Sequence, residues 1–132
     1  TFFGGNVREK VTISATAATG TVNFDAITQS VLYYTTNASG NWTLNVRGDG
    51  STTLNSIMAT GDSLTIAFLV TQGSTAYYQA TFKVDGSAVT PKYAGGSAPS
   101  AGNINGIDGY AMTIIKTGDA AFTALGALTE FG

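Results

Sequence analysis

The chemistry open to this chain rests on carboxylates, because the sequence contains no histidine and no cysteine. Histidine is the commonest general base and metal ligand, so its absence removes the usual catalytic triads. Two carboxylates that face each other across a sugar would still serve a glycosidase. The candidates are Glu9, Asp25, Asp49, Asp62, Asp85, Asp108, Asp119 and Glu130.

Most of the aspartates adjoin a glycine in a predicted turn, as in Asp49-Gly50, Asp85-Gly86 and Asp108-Gly109. Aspartate is favoured there because its side chain hydrogen-bonds the backbone of its own turn. The spacing of an EF-hand calcium loop is absent from the sequence. We therefore predict no catalytic residue, no metal, no cofactor and no enzymatic activity.

The tripeptide Arg47-Gly48-Asp49 spells an integrin-binding motif. It falls where a predicted strand meets a turn, a place where such a triplet arises by chance. A motif match without structural context carries little weight, so we do not expect adhesion through it.

Two pairs of adjacent tyrosines, Tyr33-Tyr34 and Tyr77-Tyr78, are the best clue to a site. Successive side chains of a strand point to opposite faces, so one ring of each pair must point away from the core. Because aromatic residues are enriched at interfaces, we predict that these pairs mark a subunit interface, with Tyr77 pointing outward. Phe2 and Phe3 are expected to join the same interface.

The composition favours one domain that associates with copies of itself. The chain has 132 residues, of which 43% are hydrophobic and only 11% are charged. So few charges suggest that symmetry mates bury part of the surface. The net charge is −2 and the six basic residues are scattered, so nucleic acid is not an expected partner. No apolar run has the length of a membrane span.

Alternation of apolar and polar residues predicts eight or nine strands separated by turns. The longest apolar region, residues 61–86, is predicted to be a hairpin at the middle of a sheet, and residues 29–47 are predicted to be a second hairpin. Leu54, Ile57 and Met58 predict one short helix, with Ser51 as its N-cap. The predicted fold is an all-β antiparallel sandwich, jelly-roll-like, with one short helix and no internal repeat.

Residues 1–10 are predicted to be a lead-in arm or a link to an upstream segment, and residues 11–132 a single β-sandwich domain. Residues 94–106 are small, polar and without periodicity, which predicts an exposed loop. Because loops on a rigid scaffold often carry recognition, the loop is a candidate recognition surface. Its candidate residues are Gly96, Ser97, Ser100, Asn103 and Asn105.

Several stretches together resemble a module of structural proteins from marine bacteriophages, especially cyanophages. They are VTISATAA, ITQSVLYYTTNAS, NWTLNVRGDGSTTL, FLVTQGSTAYY, TPKYAGG and YAMTIIKTGDAAF, in chain order. In that family the module lies at the C-terminal end of longer virion proteins that are described as tail-fibre-like.

The resemblance implies a non-enzymatic tail-fibre or appendage domain of a virion, assembled in the bacterial host cytoplasm. It implies a homotrimer that contacts other virion proteins and a host surface glycan. Two alternatives remain open: a capsid decoration or cement protein, and a carbohydrate-binding module in which Trp42 would contact sugar.

Overall fold

A computed structural model describes residue 5 and residues 8–132 of the chain. The described part contains ten strands and one short helix. The elements are β1 (Val11–Ala17), β2 (Gly20–Asp25), β3 (Val31–Thr36), β4 (Trp42–Arg47), α1 (Leu54–Ile57), β5 (Ser63–Thr71), β6 (Gln79–Val84), β7 (Ser87–Ala88), β8 (Lys92–Tyr93), β9 (Ile107–Gly118) and β10 (Ala121–Phe131). The predicted all-β sandwich with one short helix is confirmed.

The strands form two sheets that enclose one core. The six-stranded sheet has the order β1-β3-β5-β9-β10-β8, and the four-stranded sheet has the order β2-β4-β6-β7. Consecutive strands from β1 to β6 alternate between the two sheets, so β1 with β2, β3 with β4 and β5 with β6 make three stacked coils. Neighbouring coils therefore pair in parallel.

The parallel pairing corrects the predicted antiparallel, jelly-roll-like order. Antiparallel pairing holds for β5 with β9, β9 with β10, and β6 with β7. It does not hold for β1, β3 and β5 or for β2, β4 and β6. Alternation along a strand fixes which side chains share a face, but it does not fix the direction of the neighbouring strand.

Both predicted hairpins are wrong for the same reason. The strands β5 and β6 of residues 61–86 lie in different sheets, and so do β3 and β4 of residues 29–47. The connections at residues 37–41 and 72–78 carry the chain from one sheet to the other instead of reversing it within one sheet. Turn-forming residues such as Asn37 and Gly73 suit either path.

The three coils make a structural repeat that the sequence does not reveal. Val22, Leu44 and Phe82 lie side by side across the four-stranded sheet, and Phe24, Val46 and Val84 lie side by side two residues further on. The helical segment is inserted between the second and third coils. Its length disrupts any constant spacing in the sequence.

The short helix α1 closes one end of the sandwich with Leu54 and Met58, both buried. Its N-cap is Thr53, whose hydroxyl accepts a hydrogen bond from the Ser56 N–H at 3.1 Å, so the predicted cap at Ser51 is wrong. Asp85 accepts the N–H groups of Leu54 and Asn55 at 2.7 and 2.9 Å. These bonds satisfy amides that a helix start leaves free.

Aromatic rings from both sheets meet in the core. Trp42 of the four-stranded sheet packs edge-on against Phe68 and Tyr110 of the six-stranded sheet, with centroids 5.9 and 5.6 Å apart. Its indole N–H donates to Gln79 Oε1 at 3.3 Å. Trp42 is 1% exposed, so it is not available to stack on a sugar, as the carbohydrate-binding alternative requires.

Candidate functional site

The outer face of the six-stranded sheet is the most distinctive surface of the molecule. We define the uncharged face as the outward-pointing residues of β1, β3, β5, β9 and β10, which alternate with the core residues of the same strands. No Asp, Glu, Lys or Arg occupies an outward position in these five described strands. Lys92, in the two-residue edge strand β8 beside Leu125, lies at the rim.

The register of the sheet arranges this face in rows. One row is Val11, Val31, Ala67, Ala111 and Ala127. The next row is Ile13, Tyr33, Leu69, Gly109 and Thr129. A third row contains Thr65, Thr113 and Leu125. On β5 and β10 the small alanines of the first row therefore lie between larger side chains, whereas on β9 the neighbours of Ala111 are Gly109 and Thr113.

Large apolar side chains are concentrated on the uncharged face. Of the seven exposed large hydrophobic residues in the described chain, four belong to it: Val11, Ile13, Leu125 and Phe131. Ile13 is the most exposed of all, at 69%, and lies on the edge strand β1. Soluble proteins scatter such residues singly, whereas clusters mark interaction surfaces.

The outer face of the four-stranded sheet is polar. It carries Thr21, Thr43 and Thr81 in one row and Asn23, Asn45 and Lys83 in the next. Asn45 donates to Asn23 Oδ1 at 3.0 Å, and Arg47 forms an ion pair with Asp25 at 2.7 Å. This face has the composition of a hydrated surface. The contrast between the two outer faces is therefore a property of the fold and not only of a charge-poor composition.

The tyrosine pairs divide between the core and the surface, as predicted from their spacing. Tyr34 packs against the core, and its ring meets Phe68 edge-on at 5.1 Å. Tyr33 is half-buried and lies beside Leu69 in a row of the uncharged face. Tyr77 packs against the core, so the outward ring of the second pair is Tyr78 and not Tyr77. Phe2 and Phe3 lie outside the described residues.

The loop of residues 94–106 is exposed over most of its length. Gly96, Ser97, Ser100 and Asn105 are exposed, whereas Asn103 is half-buried. The end of the loop is anchored, because the Asn105 N–H donates to the Gly73 carbonyl at 2.9 Å and the Asn103 N–H donates to Asp108 Oδ2 at 3.0 Å. The Ala94 N–H donates to the Gly126 carbonyl at 2.8 Å, so the candidate recognition residues lie on a loop that is bonded to the sandwich at both ends.

A buried polar cluster around Asp108 was not predicted. Gln72 Nε2 donates to Asp108 Oδ2 at 3.1 Å and also to the carbonyl of Tyr77. Asp108 is fully buried, and its Oδ1 has no hydrogen-bond partner among the described residues. The sequence did hold a signal: Tyr110, Met112 and Ile114 point inward, and the same period extended backwards reaches Asp108.

The other carboxylates mostly have structural partners. Asp49 accepts the Ser51 N–H at 2.8 Å, and the hydrogen bonds from Ser51 and Thr52 lower the pKa of its carboxyl. Asp62 accepts the Ala59 N–H, and Asp119 accepts Asn55 Nδ2. Within the described residues, no group of three or more acidic, histidine or cysteine side chains could hold a metal ion.

The Arg47-Gly48-Asp49 tripeptide is not displayed as a free loop. Gly48 is buried, Arg47 bonds Asp25, and Asp49 caps its own turn. Its residues therefore serve the turn that precedes α1.

Two clefts lie at the side of the sandwich where its edge strands are short. A cleft of about 500 Å³ opens between β7 and β10, and Lys92 and Phe122 contribute to its wall. A smaller cleft of about 180 Å³ lies under Pro91 and Pro99 beside Tyr93. No acidic side chain lines either of these clefts. A third cleft, of about 400 Å³, is lined by Arg47, Asp49 and Asp85, but both carboxylates accept backbone N–H groups of the turn and of α1.

No helix among the described residues is long and apolar enough to cross a membrane. No family model matches the chain, and no match was found among curated proteins or among solved structures.

Proposed function

We propose that this chain is a non-enzymatic structural domain of a bacteriophage particle, part of a tail fibre or another appendage, where it forms a homo-oligomer. The observation that carries the proposal is the uncharged face, because a sheet face that has no charge and carries Ile13, Leu69 and Phe131 is less favourable in water than between protein subunits. The resemblance to phage virion modules supplies the setting, and it favours a trimer.

The polar groups of the fold support a structural role over a catalytic one. The carboxylates of Asp49, Asp62 and Asp85 accept backbone N–H groups, which is the work of turns and caps. The buried carboxylate of Asp108 is held by Gln72 and the loop backbone, away from the clefts. A chain of this kind stabilises an assembly and presents a surface.

The exposed part of the 94–106 loop is the surface proposed to meet the outside. Its first half contains Gly96, Ser97 and Ser100, all exposed, while its second half is tied to the sandwich. Small polar side chains on such a loop suit hydrogen bonding to a glycan of the host surface. Other virion proteins are the expected partners at the opposite end of the appendage.

The test is to locate the chain on particles made from the genome that encodes it. Antibodies against this domain, detected by electron microscopy on purified particles, should label the tail or an appendage. Absence of the chain from purified particles, by mass spectrometry and by labelling, would overturn the proposal. Turnover of a host polysaccharide by the purified domain would overturn its non-enzymatic part.

A decoration or cement protein of the capsid is the second candidate, because the same uncharged face could seat on a capsid lattice. Copy number separates the two candidates. A decoration protein approaches the abundance of the major capsid protein and labels the head uniformly, whereas a fibre component is far scarcer and labels the tail.

A further inference from the structure

We infer that copies of this chain join through the uncharged face, so that Tyr33, Leu69 and Ala111 lie at the centre of a subunit interface. The inference rests on the proposed homo-oligomer and goes further, because it names the surface and its occupant. The occupant is a second copy of this chain.

The first argument is the solvation of the face. Its half-buried centre, Tyr33 and Leu69, is continuous with the exposed Ile13 on one side and with Phe131, whose ring lies beside Gly109, on the other. In water this continuous apolar strip would cost free energy in proportion to its area. Burial against another protein surface removes that cost.

The second argument is charge, which selects a copy of the same chain as the occupant. The net charge of −2 makes two copies repel weakly wherever their charged surfaces meet. The five strands β1, β3, β5, β9 and β10 contribute no charged side chain to this face. Two such faces can therefore pack together without bringing like charges into contact or leaving any charge unpaired.

The third argument is size. Strands β1, β3, β5, β9 and β10 contain 7, 6, 9, 12 and 11 residues, and at about 3.3 Å per residue and about 4.8 Å between strands they give a face of roughly 700 Å² in projection. The accessible area is larger because side chains stand up from the sheet. It approaches the ~800 Å² per partner of a standard stable interface.

The relief of the face is suited to sheet-on-sheet packing. The row of Ala67, Ala111 and Ala127 is a trough beside the ridge of Tyr33 and Leu69. Two sheets pack about 10 Å apart when side chains from one fill such depressions in the other. In a trimer, the three faces would surround the symmetry axis.

The opposite outer face provides a matched control. Leu69 and Thr43 are both half-buried, and both point outward from an interior strand, β5 in one sheet and β4 in the other. A lysine at either position adds the same charge. Only Leu69→Lys places that charge in the inferred interface.

The experiment is sedimentation velocity of the full chain and the two variants across the micromolar range. Wild type and Thr43→Lys should both be oligomers. Leu69→Lys should bind copies of itself more weakly by on the order of 100-fold, because a buried lysine without a partner costs several kcal/mol. Its far-ultraviolet circular dichroism should match that of wild type.

A second pair of variants keeps the test decisive if Leu69→Lys does not fold. The chain has no cysteine, so a single introduced thiol can report on proximity. Ala111→Cys, at the centre of the face, should form a disulfide between copies on mild oxidation. Thr43→Cys on the polar face should remain uncrosslinked.

Each outcome has one meaning. An oligomer that persists in Leu69→Lys and crosslinks through Thr43→Cys would overturn the inferred surface and leave the proposed homo-oligomer standing. A monomeric wild type would overturn both the inference and the oligomer. Neither result bears on labelling of phage particles, which tests the virion assignment separately.

Discussion

Tyr33 and Tyr34 are neighbours in β3, yet only Tyr34 touches the core, where its ring meets Phe68 edge-on with centroids 5.1 Å apart. Tyr33 points the other way, into the row between Ile13 and Leu69. One dipeptide thus contributes to two different free energies, that of folding and that of association.

Replacing each tyrosine by alanine should separate these two contributions. Tyr34→Ala should lower the free energy of unfolding by about 2 to 3 kcal/mol, because it leaves a cavity beside Phe68. Tyr33→Ala should change unfolding of the monomer by less than about 1 kcal/mol, since no core contact is lost. Urea denaturation at concentrations where the chain is monomeric measures both changes.

The same two variants should rank in the opposite order for association. In sedimentation experiments Tyr33→Ala should dissociate at higher protein concentration than Tyr34→Ala does. Equal effects on folding would mean that both rings support the core.

Replacement of the buried Asp108 by asparagine is expected to change the stability of the fold only slightly. Asp108→Asn keeps an oxygen that can accept from Gln72 Nε2 and from the Asn103 N–H. It also removes an oxygen that lacks a partner among the described residues, and it puts in its place an amide NH2 group with two N–H donors. The free energy of unfolding should change by less than about 1 kcal/mol.

Asp108→Ala is the contrasting variant, because it leaves the Asn103 N–H without its acceptor and leaves Gln72 Nε2 with only the Tyr77 carbonyl. We expect a loss of about 2 to 3 kcal/mol in urea denaturation. Faster hydrogen exchange at Asn103 should accompany it, since that amide anchors the 94–106 loop. If asparagine proved as harmful as alanine, the two hydrogen bonds would not be the role of Asp108.

Alternation of apolar and polar residues predicts most of the strands and their buried faces, but it does not predict which strands pair with each other. Trp42, Leu44 and Val46 alternate with polar residues in the sequence, which predicts one shared face, and all three are buried. The segments around Asn37 and Gly73 look like hairpin turns because Gly, Asn and Ser suit any sharp change of direction. Whether such a segment reverses the chain or crosses to the other sheet depends on contacts far away in the sequence.

The candidate site was predicted in part for a similar reason. Spacing alone required one outward tyrosine in each pair. It could not identify Tyr78 in place of Tyr77, because residues 72–78 are a connection and not a strand. The uncharged face could not be predicted from the sequence, because its rows combine residues of β1, β3, β5, β9 and β10. Only the strand register brings Ile13 beside Tyr33.

The buried Lys116 is expected to stabilise the fold through hydrogen bonds to backbone carbonyl oxygens, and not through an ion pair. Its ammonium group is buried and donates to the carbonyl oxygens of Asn55 and Met58, both at 2.8 Å, at the end of α1. Lys116→Met keeps the apolar stem and leaves both carbonyls without this donor. Unfolding free energy should fall by about 2 to 3 kcal/mol in urea denaturation.

Lys83→Met is the matched control, because Lys83 is half-buried on the polar outer face. It should change stability by no more than about 0.5 kcal/mol. A loss of the same size in both variants would mean that positive charge in general, and not the carbonyl contacts of Lys116, stabilises the chain.

The buried Tyr110 is expected to make the folded state less stable at alkaline pH. It is fully buried, its hydroxyl accepts the Gln79 N–H at 3.1 Å, and burial raises its pKa well above the ordinary value of 10.0. The folded state therefore keeps the phenol neutral while the unfolded state loses its proton as pH rises above about 10. Stability from this group is complete below that pH and declines above it, by about 1 kcal/mol near pH 11.

Tyr110→Phe should remove the part of the decline in unfolding free energy above about pH 10 that is due to the Tyr110 hydroxyl. At neutral pH the variant should be less stable by about 1 kcal/mol, because the Gln79 N–H loses its acceptor. Between about pH 9 and pH 11 its unfolding free energy should fall less than that of wild type. Tyr93→Phe should have a weaker effect, because the burial that raises the pKa of Tyr93 is only partial, whereas Tyr110 is fully buried. Identical pH profiles for wild type and Tyr110→Phe, from urea denaturation at each pH, would show that the Tyr110 hydroxyl is not the group that limits stability in alkali.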